Sequence, residues 1–309
     1  SKEYVDNWVT GAPGFESTDW YDLTMKDRSN FQQYNASVNG GSDKITYYMG
    51  FEHMRENGLL KSGDMGYQRF NLRSNVTAKL TDNLESQLLL GVRHSTRTQP
   101  GAGFFSIFKG TRVSLPTDYP YANGNPEYIR PTYLDQNPLA LADRDITGYS
   151  EDRTQSLQSS FSLKYTAPFL EGLSFKGVFS YDLNNFQNKN LNKPYSLYNY
   201  DSIADRYVPV KYRDGSGSMS QRARLNQYLT FQGYVNFDRK FGKHKVGTVL
   251  VYEINTLNRE DFNGRGIYGD FYTTDVLEFA TDQEFVGSSP RQEADISYIG
   301  RLNYSYADK

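Results

Sequence analysis

Residues 68–93, QRFNLRSNVTAKLTDNLESQLLLGVR, decide the fold. Up to residue 80, every second side chain is mostly apolar or small and the others are polar or charged. The two sets are Gln68, Phe70, Leu72, Ser74, Val76, Ala78, Leu80 and Arg69, Asn71, Arg73, Asn75, Thr77, Lys79. Successive side chains of a strand point to opposite faces, so this period of two predicts a strand with one apolar face and one polar face.

The same alternation recurs along the chain and predicts about nine strands. They lie at 31–39, 44–53, 68–80, 84–93, 156–167, 173–183, 223–241, 246–258 and 294–306. The longest predicted strand, 223–241, has 19 residues and four others have 12 or 13, whereas a tilted strand crosses the hydrocarbon with about 9–11. The surplus is expected to project beyond the membrane.

The connections between these strands alternate in length. Tight turns lie near 40–43, 80–83, 168–172 and 241–243, and long connections lie at 55–65, 98–152, 191–219 and 261–291. Short turns on one rim and long loops on the other are typical of outer-membrane barrels. We therefore predict an all-β fold: an antiparallel, up-and-down transmembrane β-barrel segment with its short rim at the periplasm.

Composition is compatible with this fold. Mean hydropathy is −0.71 over 309 residues, and no apolar run approaches the roughly 20 residues that a membrane helix needs. A barrel strand shows only alternate side chains to lipid, so its average composition stays polar. The net charge of −2 gives no reason to expect nucleic acid, and the absence of Cys excludes disulfides and thiolate metal sites.

Aromatic residues gather near the tight turns, where an amphipathic ring would meet lipid headgroups. They are Tyr47, Tyr165, Phe169, Phe237, Phe241, Tyr304 and Tyr306. We interpret them as an interfacial girdle; the alternative is the ordinary preference of aromatic residues for strands.

Several motifs, in this order, resemble the barrel of SusC-like TonB-dependent outer-membrane transporters of Bacteroidota (the SusC/RagA family). They are DWYD at 19–22, YNASVNGGSDK at 34–44, ENGLL at 56–60, NPLA at 137–140, YTAPFL at 165–170, FGKH at 241–244 and SYIGRLNYSYADK at 297–309. Each is only a strand or turn; their order along nearly the whole chain carries the resemblance.

The resemblance implies a 22-stranded barrel with a plugged lumen, which about nine strands cannot close. Residues 1–309 are therefore expected to be a middle portion of the barrel domain. Signal peptide, TonB box, plug domain and the later strands are expected outside this chain.

Sequence patterns that resemble catalytic or cofactor motifs do not lie in the structural context that those motifs need. The glycine pattern at 264–269 matches the spacing of a dinucleotide-binding fingerprint, which requires a helix directly after it. The sequence of 270–274 is not one that begins a helix. The three His, at positions 53, 94 and 244, lie on different predicted hairpins, so no metal site is expected. We expect no cofactor and no enzyme activity.

Two sets of residues are candidates for contact with a solute. The first set lies on the polar face of the predicted strands and is expected to line the lumen: Arg69, Arg73, Arg93, Arg224, Tyr228 and Tyr234. Aromatic residues of the 98–152 loop, expected to be ordered at the outer rim, are Phe104, Phe105, Phe108, Tyr119, Tyr121, Tyr128 and Tyr133. The loop aromatics suit stacking on a solute or a protein interface, and the sequence leaves both open.

The resemblance implies active import of oligosaccharides or peptides across the outer membrane. The partners it implies are a SusD-like surface lipoprotein, TonB through a region outside this chain, and outer-membrane lipid. A siderophore or cobalamin receptor of the same barrel class is the main alternative. A passive porin or a barrel enzyme is a further one.

Overall fold

The computed structural model describes residues 1–12, 15–133, 136–211, 216–269 and 275–307. Its strands are β1 (Phe31–Gly41), β2 (Ile45–Asn57), β3 (Gly66–Thr81), β4 (Leu84–Pro100), β5 (Gly148–Thr166), β6 (Leu173–Asn192), β7 (Ser196–Asp201), β8 (Arg206–Lys211), β9 (Ser218–Phe241), β10 (His244–Ile267), β11 (Asp282–Ser288) and β12 (Arg291–Tyr306). Five short helices are α1 (Lys2–Thr10), α2 (Trp20–Thr24), α3 (Phe104–Val113), α4 (Pro138–Ala142) and α5 (Arg144–Thr147). In the described part of the chain, none of the helices is long and apolar enough to cross a membrane.

Ten strands form one antiparallel sheet. Strands β1 to β6 pair in sequence, β6 pairs with β9, and β9 pairs with β10. The intervening β7 and β8 pair only with each other and form a separate hairpin. The up-and-down meander predicted from the sequence is therefore confirmed, as are all nine predicted strands.

Strands β11 and β12 are two parts of one wall strand. Both pair with β10, and the partner pairs Phe262↔Ser288 and Arg259↔Arg291 keep the same register. Ser289 and Pro290 lie between them, and Pro has no N–H to donate to a ladder. The proline interrupts the strand without changing its direction.

The predicted strands are shorter than the observed ones, mainly at their outer ends. Strands β9 and β10 each have 24 residues and pair along their whole length, which confirms the prediction of a tall wall. The predicted loops 191–219 and 261–291 accordingly contain the β7–β8 hairpin and β11, and 98–152 contains helices. Alternation fades toward the outer ends because both faces become polar there, while the backbone ladder continues.

One row of partners shows how the sheet separates its faces. From β1 to β12 it joins Gly40, Tyr47, Val76, Leu88, Phe161, Phe179, Phe231, Ile254 and Ile296. Phe179 and Ile296 are 51% and 56% exposed. An apolar surface this extensive is unusual for a water-facing wall and is the expected lipid-facing surface of a barrel.

The opposite face is polar. A row five residues nearer the outer rim joins Asn35, Glu52, Asn71, Arg93, Ser156, Asn184, Asn226, Arg259 and Arg291. The register also places Arg69, Arg73 and Lys79 on this polar face and Phe70, Leu72, Val76 and Ala78 on the apolar face, as the sequence predicted. A slip of one residue would exchange the two faces.

The apolar band crosses the sheet obliquely. On β3 it reaches up to Phe70, but the same row meets Gln155 on β5 and Glu260 on β10. On β12 the band instead lies lower, around Ile296 to Tyr306. A band that shifts along successive strands is expected when strands are tilted to the membrane, as barrel closure requires.

We predict that Phe179→Arg destabilises the assembled barrel by about 2–4 kcal/mol, because the charge would face hydrocarbon. The neighbouring Ser180→Arg, on the polar face, should cost far less. Unfolding by urea in lipid vesicles measures both. Equal losses in the two variants would contradict the assignment of the faces.

Gly172 closes the β5–β6 turn at φ +88°, and a Cβ there would lie 2.1 Å from the Asp238 carbonyl oxygen. Gly242 closes the β9–β10 turn at φ +61° with no atom within 4 Å of such a Cβ. We predict that Gly242→Ala costs about 1 kcal/mol, the penalty of left-handed backbone, and that Gly172→Ala costs clearly more. The same urea titration tests the order of the two losses.

Candidate functional site

The outer loop between β4 and β5 is ordered by a small core of its own. Met25, Leu60, Ile107 and Leu141 pack together, and Leu60 and Ile107 are fully buried. Three separate segments supply these residues: the chain before β1, the β2–β3 connection, and helices α3 and α4. The expected order of the loop is therefore observed in its described residues.

The N-terminal segment fastens this core from outside. The indole N–H of Trp20 donates to the Leu115 carbonyl oxygen at 2.8 Å, and the Thr18 hydroxyl donates to that of Asp118 at 2.7 Å. Met25 also forms a β-bridge with Leu60. No local sequence pattern predicts these contacts, because they join residues that are distant along the chain.

The seven aromatic candidates of the loop fall into two groups. Phe104, Tyr119 and Tyr128 are partly buried by this chain itself: Phe104 packs on the loop core, Tyr119 lies by Trp8, and Tyr128 stacks on Tyr207 of β8 at 3.7 Å. Tyr121 is also partly buried and bridges to Ile129. Phe105 and Tyr133 are 78% and 74% exposed, and Phe108 is 37% exposed. Only the second group is free to meet another molecule.

The six lumen candidates all lie on the polar face. Arg69, Arg73, Arg93 and Tyr228 line one groove of about 500 Å³ that crosses β2 to β9. Arg224 lies further toward the outer rim, in the row of Arg69, and bonds Asp261. Tyr234 lies nearer the short-turn rim, and its hydroxyl bonds Gln232 at 2.9 Å.

Within the groove, one acid is already neutralised. The Glu52 carboxylate accepts from the Arg69 guanidinium at 2.5 Å and from the Asn71 amide at 3.2 Å. Asn184 and Arg93 both donate to the Ser156 hydroxyl, at 3.1 and 3.3 Å. This wall is therefore a network of donors and acceptors suited to polar solutes, water or another protein surface.

A second polar cluster lies at the outer end of β9 and β10. Asp261 is 4% exposed, and its Oδ2 lies 2.9 Å from Nη2 of Arg222 and 2.6 Å from Nη2 of Arg224. Asp261 lies beyond the apolar band, whose side chains on β10 end near Thr256. Hydrogen bonds from Arg222 hold the pKa of Asp261 below its ordinary value, with Arg224 adding to the effect and burial opposing it.

The lowered pKa predicts how the outer wall responds to acid. A carboxylate whose folded pKa is depressed stabilises the fold above the unfolded pKa, and that contribution is lost as pH falls through the folded value. We therefore predict that local opening at the outer ends of β9 and β10, measured by hydrogen exchange relative to the intrinsic rate at each pH, rises below about pH 4. Asp261→Asn should raise it already at pH 7, whereas Asp238→Asn, an exposed control, should not. Unchanged exchange in Asp261→Asn would contradict the role of this cluster.

Sequence reasoning missed a segment that covers the outer wall. Residues 275–280, which we call the strap, lie beyond the apolar band. They cover the outer ends of β5 to β10 on the same face as that band. Asp275 accepts hydrogen bonds from the Tyr149 hydroxyl and, at 3.0 Å, from Lys189. The two bonds lower the pKa of Asp275, and the Tyr149 bond is its largest cause.

The strap explains the glycine pattern that resembles a nucleotide-binding fingerprint. A Cβ at Gly264 or Gly266 would lie 2.9 Å from Leu277 or 2.4 Å from Ala280. Both glycines are in β10, where the missing side chains permit close packing of the strap. The stretch 270–274, which was expected not to open a helix, lies outside the described residues.

No group of three or more potential metal ligands occurs among the residues that the structure describes. His53 stacks between Tyr34 and Phe70, with ring centroids 6.2 and 4.5 Å apart. His244 bonds the Tyr304 hydroxyl at 2.7 Å near the tight-turn rim. These two histidines therefore contact aromatic rings near the edges of the apolar band.

Comparison with known proteins supports the same interpretation. No family model matches the chain. It is 21% identical over 307 residues to TonB-dependent receptor P26 of Formosa agariphila, covering 96% of this chain and 28% of that protein. The similarity runs through nearly the whole chain, as the motif order predicted.

Solved structures share the fold. The RagAB peptide transporter matches with a TM-score of 0.73 at 15% identity, over 94% of this chain and 32% of that one. The outer membrane transporter YddB from Escherichia coli matches with a TM-score of 0.52 at 9% identity, over 91% of this chain and 32% of that one. The chain thus spans about a third or less of each of these three proteins. The expected resemblance to TonB-dependent transporters, the barrel fold and the outer-membrane location are confirmed.

Proposed function

We propose that this chain forms part of the barrel wall of a TonB-dependent importer that takes up oligosaccharides or peptides together with a SusD-like surface lipoprotein. One observation carries the proposal: a tall antiparallel wall has an apolar outer band, a polar inner face and an ordered loop rim. Such a wall suits a wide, water-lined passage through a bilayer.

Energy for import would come from the inner membrane through TonB, which would engage a region outside this chain. The similar proteins are described as a TonB-dependent receptor and as transporters, which supports import over catalysis. One of them is described as a peptide transporter, which supports peptides as one of the two solute classes.

A siderophore or cobalamin receptor is the nearest alternative, since it shares the barrel and the energy source. The match to RagAB, with a TM-score of 0.73, agrees with the SusC-like motifs of the sequence and supports that kind. A passive porin would need neither TonB nor a lipoprotein. The two requirements therefore separate the alternatives experimentally.

The proposal is tested with the complete transporter in its own cells. Uptake of defined oligosaccharides and peptides is measured with and without TonB, and with and without the SusD-like lipoprotein. We expect uptake of one solute class to need both proteins. Uptake that persists without TonB would show a porin, and uptake that needs TonB but no lipoprotein would show the other receptor kind.

We predict that Phe105→Ser combined with Tyr133→Ser lowers lipoprotein copurification or solute uptake while the barrel still assembles. These rings are exposed and make no contribution to the loop core, so their contacts should be external. Phe104→Ala is the matched control, because its ring packs on that core and its loss should act through stability. Unchanged copurification and unchanged uptake in the double variant would show that these rings have no external role.

A further inference from the structure

The polar groove has an unequal distribution of charge. On the β3–β4 side lie three arginines, of which only Arg69 is paired, with Glu52. Arg73 and Arg93 line the same groove, are exposed, and form no ion pair within the part of the chain that the structure describes. Two guanidinium groups are therefore available on this side.

The remaining acid of the groove is too far away to neutralise them. Asp182 lies on β6, in the same partner row as Arg73 and three strands away. Neighbouring strands are about 4.8 Å apart, which puts the two backbones roughly 14 Å from each other. The groove thus has a cationic side at β3–β4 and an acidic side at β6.

A glycine keeps the cationic side open. Gly91 of β4 is the direct partner of Arg73, and a Cβ built there would meet only Gln158, at 3.7 Å or more. Glycine weakens a strand interior and often marks a place where another group approaches closely. Here its missing side chain leaves space between the guanidinium of Arg73 and the wall of β5.

We propose that the Arg73–Gly91–Arg93 side of the groove is the seat for a carboxylate group on the transported solute. This inference rests on the proposed import function and adds the chemistry of its substrate. A guanidinium presents paired donors that match an oxyanion, and such charge-assisted bonds are among the strongest in proteins. Gln158 and the Tyr228 hydroxyl, on the same face, supply neutral partners for the rest of the solute. Asp182 would repel an anion at the β6 side of the groove, so the anion is expected to occupy the β3–β4 side.

The test uses the complete purified transporter and titration calorimetry. The anionic probes are tri-glutamate and trigalacturonate, and the matched neutral probes are tri-glutamine and galactotriose. We expect the wild-type protein to bind at least one anionic probe more tightly than its neutral counterpart. A response to tri-glutamate would indicate a peptide as the source of the anion, and one to trigalacturonate an acidic glycan.

Three variants test the seat. Arg73→Gln and Arg93→Gln should each weaken anion binding by about tenfold or more, which corresponds to loss of one charge-assisted bond. Gly91→Leu should abolish binding by filling the space, yet leave barrel assembly intact or improved, because the strand gains a side chain. Arg153→Gln, an exposed arginine of β5 on the opposite face, is the matched control and should bind as the wild type does.

Two outcomes would overturn the inference: no preference of the wild-type protein for either anionic probe, or equal anion affinity in the wild type and in the arginine and glycine variants. Parallel uptake assays separate this result from the wider proposal. Uptake that needs TonB but is unaffected by the three variants would reject the anion seat and leave the import function standing. Uptake that does not need TonB would reject the import function itself.

Discussion

The need to pair every backbone N–H and C=O in a medium without water governs the rest of this structure. In hydrocarbon an unpaired polar group costs several kcal/mol, so the chain must form an unbroken ladder with its neighbours. Strands β9 and β10 meet this need with 24 consecutive partners, more than the bilayer alone requires. The ladder fixes the register, and the register sends the charged residues of the apolar zone to one face, except Arg239 near the short-turn rim, whose guanidinium lies over the Phe241 ring.

Beyond the membrane the same ladder continues under different rules. Apolar side chains are no longer required on the outer face, and the wall is instead held by local devices: the ion cluster around Asp261, the strap over Gly264 and Gly266, and the loop core around Ile107. Each joins segments that are distant in sequence. Together they present a rigid rim, on which a few exposed rings such as Phe105 are free for contact.

Charge on the inner face is balanced in some places and not in others. Glu52 with Arg69, and Asp261 with Arg222 and Arg224, are closed groups whose partners satisfy one another. Arg73 and Arg93 form no ion pair among the described residues, although Arg93 donates to the Ser156 hydroxyl. An open cation costs little where it contacts water, and it gains when an anion displaces that water in a partly enclosed groove. The distinction between closed and open groups separates residues that hold the wall from residues that can serve transport.

The sequence by itself determined the membrane-spanning part of this protein. Alternation in 68–93 predicted both strands and the two faces, since a period of two admits only one arrangement with charges away from lipid. It determined neither the outer strand ends nor β11, because alternation disappears where both faces meet water. Only the tertiary structure decided that Tyr128 stacks on Tyr207 and that Gly264 and Gly266 accommodate the strap. Those facts depend on partners far along the chain, and no local pattern encodes such partners.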